Sequence, residues 1–151
     1  MRSALHHVSV FVSEMDRSIY LFRDILGFEI SWRIPKVGGK KLSALLGIPD
    51  MVAELTYLRS RSDGVAIELC RLIHPAVDQS QVQFGGPGTV GLSLTVDDLD
   101  GLHRRLSEEG WTPFTACTNM RSPEGDAIRL FCLKTEDGLL LELIEQRKNG
   151  R

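Results

Sequence analysis

Two glutamates stand in near-identical strings. DGVAIELCRL, Asp63 to Leu72, recurs as DGLLLELIEQ, Asp137 to Gln146, with Asp-Gly and Glu-Leu in register at an offset of 74 residues. The repeated carboxylates are Glu68 and Glu142. A carboxylate in the middle of an apolar strand is costly to turn inward unless it is paired or bound to a cation. A second string, LHHVSVFVSEMD (Leu5 to Asp16), aligns with TVGLSLTVDDLD (Thr89 to Asp100) at an offset of 84 and adds His7. One imidazole and two carboxylates are a donor set for a divalent cation. The equivalent of His7 is Gly91, which has no side chain to give. The same residues also allow a plainer reading, in which both strand faces are solvated and the repeat is only architectural.

Period-2 alternation decides which side chains share a surface. Val8, Val10 and Val12 fall on one face of the first strand (Leu5 to Val12), and His7, Ser9 and Phe11 on the other. Leu92, Leu94 and Val96 match the valines, so Gly91, Ser93 and Thr95 match His7, Ser9 and Phe11. In the last strands Ile67 and Leu69 match Leu141 and Leu143, while Glu68 and Glu142 point the other way. Each copy therefore has an apolar face suited to packing under a helix and a second face of small and polar residues. Two such sheets related by a pseudo-twofold axis would enclose a cavity between their second faces. His6 alternates onto the apolar face, which leaves His7 as the donor.

The elements follow from caps, periodicity and breakers. Ser13-x-x-Asp16 resembles a capping box, and a helix to about Leu26 buries Ile19, Phe22 and Leu26 before Gly27 ends it. Phe28 to Ile34 reads as a strand, Pro35 to Lys41 as a loop and Leu42 to Leu46 as a short helix. Ala53 to Arg59 and Val65 to Leu72 form a hairpin. The second copy repeats the order with strand Val90 to Val96 and a helix from about Leu99 to Glu109 burying Leu99, Leu102 and Leu106. Strands then follow around Trp111–Thr115, Ile128–Lys134 and Leu139–Glu145. The short helix is missing there, which explains the ten-residue change in offset, and Thr115 to Asp126 reads as a polar binding loop.

The expected class is α+β: one domain over residues 1–151, made of βαβββ modules at 4–73 and 89–147 with a linker at 74–88. Each module, at ~70 residues, is marginal as a separate core, so the two should pack together. A net charge of −2 gives no electrostatic footprint for nucleic acid or an anionic membrane. No apolar run reaches the ~20 residues of a membrane span, nor is there a signal-peptide core, so a cytoplasmic protein is expected. Cys70, Cys117 and Cys132 are odd in number and lack C-x-x-C spacing, which points to reduced thiols.

The opening LHHVSVFVSEMDRSIYLFRDILGFE and the two D-G-x-x-x-E-L strings resemble the vicinal oxygen chelate superfamily: glyoxalase I, methylmalonyl-CoA epimerase, bleomycin and fosfomycin resistance proteins, and extradiol dioxygenases. The resemblance covers nearly the whole chain. It implies a U-shaped mixed sheet of two βαβββ modules around a central cavity, with helices on the outer face. Carried over by position, it implies metal donors His7, Glu68 and Glu142 around one divalent ion. Zn, Mn, Mg, Co or Ni would suit that set better than Fe, and an extradiol dioxygenase is correspondingly disfavoured. At Gly91, where four-donor members carry His, water or substrate would enter, or a loop group such as Asn119 or Glu124 would reach in; otherwise the metal site has decayed.

The activity implied is that of a glyoxalase-like lyase, isomerase or epimerase working on a small oxygen-bearing substrate through an enolate-type intermediate. Glu68 or Glu142 would be the catalytic base. Gly91, Ser9, Ser93 and Asn119 would face the substrate. The family also implies a homodimer with a small-molecule ligand. The alternative it offers is a non-catalytic drug-sequestering protein of the bleomycin-resistance type.

Overall fold

The structure is a computed structural model that describes residues 3–77 and 89–146. It divides into two compact units, Met1–Gln81 and Val82–Arg151. The expected modules fall one in each unit; residues 78–88 of the expected linker, and position 147, lie outside the described residues.

The first unit runs β1 (Val8–Phe11), α1 (Met15–Ile19), a π-helical continuation (Tyr20–Ile25), β2 (Glu29–Gly38), α2 (Lys40–Leu46), β3 (Val52–Arg59) and β4 (Ala66–His74). Its sheet has the order β1-β4-β3-β2, with β1 parallel to β4 and the other pairs antiparallel. The second unit runs β5 (Gly91–Thr95), α3 (Leu99–Glu108), β6 (Thr118–Arg121), β7 (Ala127–Lys134) and β8 (Leu140–Gln146). Its sheet order, β5-β8-β7-β6, repeats that of the first, again with the first strand parallel to the last. The fold class is therefore α+β, built from two tandem four-stranded mixed sheets. Among the described residues no helix is long and apolar enough to cross a membrane.

The alternation read from the sequence produces the buried faces. Val10 and Val12 are buried with Leu58, Ile67 and Leu69, and the helical residues Met15, Ile19, Leu21, Phe22 and Ile25 are buried with them. The first helix differs from expectation in burying Ile25 rather than Leu26. Its last turn widens, so that the Leu26 amide donates to Leu21 five residues back, at 3.0 Å, and the extra residue in the turn shifts the buried stripe by one. Gly27, at φ 78°, then reverses the chain in the left-handed region that glycine tolerates. In the second unit Leu99, Leu106, Phe131, Leu133, Leu141 and Leu143 are buried, while Leu102 is only half-buried.

Two strand boundaries correct the sequence reading. β2 runs on through Pro35 to Gly38, a stretch expected to be loop. Proline is tolerated there because β2 is an edge strand and its register slips between Ile34 and Val37. In the second unit the strand expected around Trp111–Thr115 shrinks to a single bridge from Pro113 to Leu133. The edge strand is instead Thr118–Arg121, within the stretch read as loop. Its four residues are all exposed, so it carries no alternating apolar signal; backbone pairing with β7 makes it a strand.

Each helix start is tied to its sheet by ion pairs. In the first unit Glu54, only 4% exposed, lies between Arg33 (2.6 Å) and Arg71 (2.8 Å), and Arg33 also reaches Asp16 in the first turn of α1 at 2.8 Å. In the second, Arg129 joins Glu145 (3.4 Å) to Asp100 (2.7 Å) in the first turn of α3. Glu54 faces Arg71 across β3–β4, and Arg129 faces Glu145 across β7–β8. The bridge occupies the same place in both units with its sign reversed. Glu145 also accepts from the Leu99 amide at 3.1 Å, and Asp98 caps the helix by accepting from the Gly101 amide at 2.9 Å.

The insertion peculiar to the first unit is α2. Leu42 and Ile48, with Val37, Leu55 and Leu72, pack over a small second core of Met51, Ala53 and Cys70. That core covers one end of the sheet face opposite α1, and leaves the other end open.

Candidate functional site

The open end of that face is where the predicted donors of the first unit stand. Ser9 and Glu68 are register partners across the parallel β1–β4 pair, so their side chains share a face. The Ser9 hydroxyl donates to Glu68 Oε2 at 3.1 Å. His7, immediately before β1, brings its Nε2 to 3.1 Å from Ser9 Oγ and 3.6 Å from Glu68 Oε2. Sequence alternation thus brings His7, Ser9 and Glu68 together. It misplaces His6, which is exposed and touches His7 through the two Nδ1 atoms at 2.7 Å. Outside the regular strand the two-residue alternation no longer applies, and this contact was not legible.

The same face continues across the sheet. Tyr57 is the register partner of Glu68, and Trp32 that of Tyr57. Their rings stack with centroids 5.0 Å apart and 16° between planes, and Tyr57 meets the His7 ring edge-on at 5.6 Å. Ser9, Glu68, Tyr57 and Trp32 therefore form one row over four strands, with a carboxylate near one end and a half-exposed indole at the other.

The second unit repeats the serine–glutamate pair. Ser93 and Glu142 are register partners across β5–β8, and the Ser93 hydroxyl donates to Glu142 Oε2. Beside Glu142 the aromatic row is missing, its place on β7 being taken by Cys132. Gly91 opens β5 opposite Leu140. A Cβ built there would meet Leu140 at 3.6 Å, an ordinary contact, so packing does not demand a glycine. Asn119 lies opposite Arg129, which in turn faces Glu145, and that row is on the other face of the sheet from Glu142. Glu124 is exposed in the turn between β6 and β7.

Within either unit, among the described residues, no three His, Cys, Asp or Glu side chains cluster closely enough to hold a metal. The first unit brings two candidate donors together, with His7 Nε2 3.6 Å from Glu68 Oε2. An imidazole nitrogen and a carboxylate oxygen are suitable donors for Zn, Mn or Co, and these are two of the three donors the sequence implied.

Other aromatic and basic side chains are engaged elsewhere. Trp111 and Phe131 are core residues, and His103 packs edge-on against Phe131 at 4.9 Å. Arg59 donates to the Gly64 carbonyl and Arg121 to the Gly125 carbonyl, both at 3.0 Å, while Arg129 belongs to the helix bridge. Cys70 shares the face of Glu68 but is buried; burial, and then the neighbouring Glu68 charge, push its thiol up to about 11. A separate cleft of about 610 Å³ beside α2 has Lys40 and Asp50 as its charged lining residues.

These strand–helix units with a glutamate at the same place in each last strand define a known class. The chain belongs to the Glyoxalase/Bleomycin resistance protein/Dioxygenase superfamily, whose sequence profile matches residues 4–143. Members of that superfamily commonly use a divalent metal. Among solved structures it is similar to a glyoxalase family protein from Bacillus cereus, at 23% identity, TM-score 0.79, 95% of this chain and 94% of that one. It is also similar to a glyoxylase/bleomycin resistance protein/dioxygenase domain from Frankia sp. EAN1pec, at 23% identity, TM-score 0.59 and coverage of 97% and 100%. A superfamily member from Sphaerobacter thermophilus matches at 20% identity and TM-score 0.53, covering 95% and 98%. These likenesses establish the fold. No curated protein matches the chain.

Proposed function

We propose that the protein is a divalent-metal-dependent lyase, isomerase or epimerase acting on a small substrate that carries oxygen donors, with His7, Glu68 and Glu142 as the metal donors. The observation that carries this reading is the approach of His7 Nε2 to Glu68 Oε2, 3.6 Å apart on the open face of the first sheet. The matching Ser93–Glu142 pair supports giving Glu142 the same duty. A divalent ion, when bound, would act as a Lewis acid on a substrate oxygen.

The chain's own residues have the remaining tasks. A glutamate that leaves the cation as substrate enters is placed to take the substrate's acidic proton, and Glu68 and Glu142 are the two candidates. The missing side chain at Gly91 leaves room for a substrate oxygen. Ser9 and Ser93 can turn their hydroxyls to substrate, and Trp32 offers an apolar wall. The proposal includes a homodimer, as the family commonly forms.

Elemental analysis of the purified protein tests it. One divalent ion per chain is expected, with at least tenfold weaker retention in His7→Ala and Glu68→Gln, a typical scale for loss of a metal ligand or its support. A parent protein that holds no divalent ion above trace, even after reconstitution, sinks the reading. Unchanged affinity in Glu142→Gln would remove Glu142 from the donor set.

Gly91 and the stacked, half-exposed Trp32 favour one second reading, a metal-free module that sequesters a flat ligand. Its mark is a ligand-dependent rise in melting temperature that persists in chelator.

A further inference from the structure

The cleft beside α2 lies wholly within the first unit, between that helix and the start of β3. It shares no residue with the row of Ser9, Glu68, Tyr57 and Trp32. At ~30 Å³ for each water in the liquid, its volume of about 610 Å³ holds about 20 waters. A ligand of that bulk is a chain of roughly two or three amino-acid residues. Ala44, Pro49, Met51 and Val52 give the cleft its apolar lining, and Lys40 and Asp50 its charges.

The walls are fixed before anything binds. The Ser43 carbonyl accepts from the Gly47 and Ile48 amides, and the Ser43 hydroxyl accepts from the Met51 amide at 2.9 Å. One residue thereby ties the end of α2 to the start of β3 and sets the width between them. A Cβ on Gly39 or Gly47, both lining residues, would meet nothing within 4 Å, so no packing fills the space there. A preformed, mostly apolar concavity with a few polar groups is the usual form of a small-molecule site.

The two charges say what the ligand is. Lys40 and Asp50 are exposed, and among the described residues neither has an ion-pair partner, whether the other or a third group. Elsewhere in this unit Glu54 is held by Arg33 and Arg71, and Glu29 by Arg61. A cation and an anion that line one cleft without neutralising each other complement a ligand with opposite charges at its two ends. A simple anion would meet Lys40 but lie beside Asp50, and a simple cation would meet the reverse.

We propose that this cleft binds a short apolar peptide in its zwitterionic form. The terminal ammonium lies at Asp50, the terminal carboxylate at Lys40, and the side chains against Ala44, Pro49 and Val52. The site is additional to the metal reading and does not depend on it.

The test is a titration of the ¹⁵N-labelled full chain with leucyl-leucine, followed by amide shifts, with chelator present so that no cation takes part. Saturable shifts of the Gly39, Ala44 and Gly47 amides are expected, with a Kd on the order of 0.1–1 mM for a ligand of this size. N-acetyl-leucyl-leucine lacks the ammonium and leucyl-leucinamide lacks the carboxylate. Each should bind about fivefold more weakly, the upper end for an exposed ion pair. Asp50→Asn keeps a residue that tolerates the φ of 51° at this position, and should bind the dipeptide and its acetyl form alike. Lys40→Met keeps the apolar stem and should bind the dipeptide and its amide alike. Absence of binding, equal affinity of the parent for all three ligands, or shifts centred on Glu68 and Trp32 instead overturns the proposal. Each of those outcomes leaves the metal reading to its own elemental analysis.

Discussion

Glu54 on β3 and Arg71 on β4 face each other with 2.8 Å between carboxylate and guanidinium, and the carboxylate is almost wholly buried. Burial alone would push Glu54 up, but the hydrogen bonds from Arg33 and Arg71 outweigh it and hold the carboxyl below its usual range. Its folded value thus lies below its unfolded one. The contribution to stability is full above the ordinary carboxylate range and is lost as pH falls through the depressed folded value.

Chemical denaturation from pH 7 down to pH 3 should show this dependence in the parent and a shallower one in Glu54→Gln. At pH 7 the substitution should cost about 2 kcal/mol, less than the ~3–5 kcal/mol for breaking a fully buried pair, because both arginines keep access to water. Parallel pH curves for parent and variant would show that Glu54 is not the group responsible.

Thr56 is fully buried, and among the described residues its hydroxyl has no hydrogen-bond partner. An isosteric methyl removes that desolvation cost without opening a cavity. Thr56→Val should therefore stabilise the protein by about 1 kcal/mol, a rise of roughly 2–4 °C in Tm. A drop in Tm would mean that the hydroxyl has a partner.

Asp98 caps α3 through the Gly101 amide. Asp98→Ala should cost about 1 kcal/mol, whereas Asp98→Asn or Asp98→Ser should recover most of it. Equal losses in all three, measured by urea denaturation, would show that the charge rather than the cap matters.

Cys70, with its thiol pushed up to about 11, is only about one part in a thousand thiolate at pH 8. Native iodoacetamide labelling at pH 8 should reach Cys70 last, after the less buried Cys117 and Cys132, and urea should abolish the difference. Mass spectrometry of the alkylated peptides checks the order.

Much of this was legible in the sequence because alternation is a local property. The parity of Val10, Ser9, Ile67 and Glu68 dictates which face each occupies, and the structure places Ser9 with Glu68 and Ser93 with Glu142 as the two repeats require. Where pairing rather than pattern makes the element, reading failed. β6 has no apolar residue except Met120, and Pro35 disguises an edge strand as a loop. The His6–His7 contact escaped because it forms just outside a strand. The serine–glutamate hydrogen bonds escaped too, although the register of β1 with β4 and of β5 with β8 sets each serine against its glutamate.

The reversed bridge has a consequence for how a duplicated chain finds its own partners. Two copies of one strand pattern on a single polypeptide invite exchange, with β3 accepting β8, or β7 accepting β4, in a register as good as the native one. Because the polarity is inverted, the first exchange sets Glu54 against Glu145 and the second sets Arg71 against Arg129. Both errors set like charges side by side, and only the native assignments join opposite ones. The inverted polarity thus makes electrostatics favour the native strand partners over the exchanged ones.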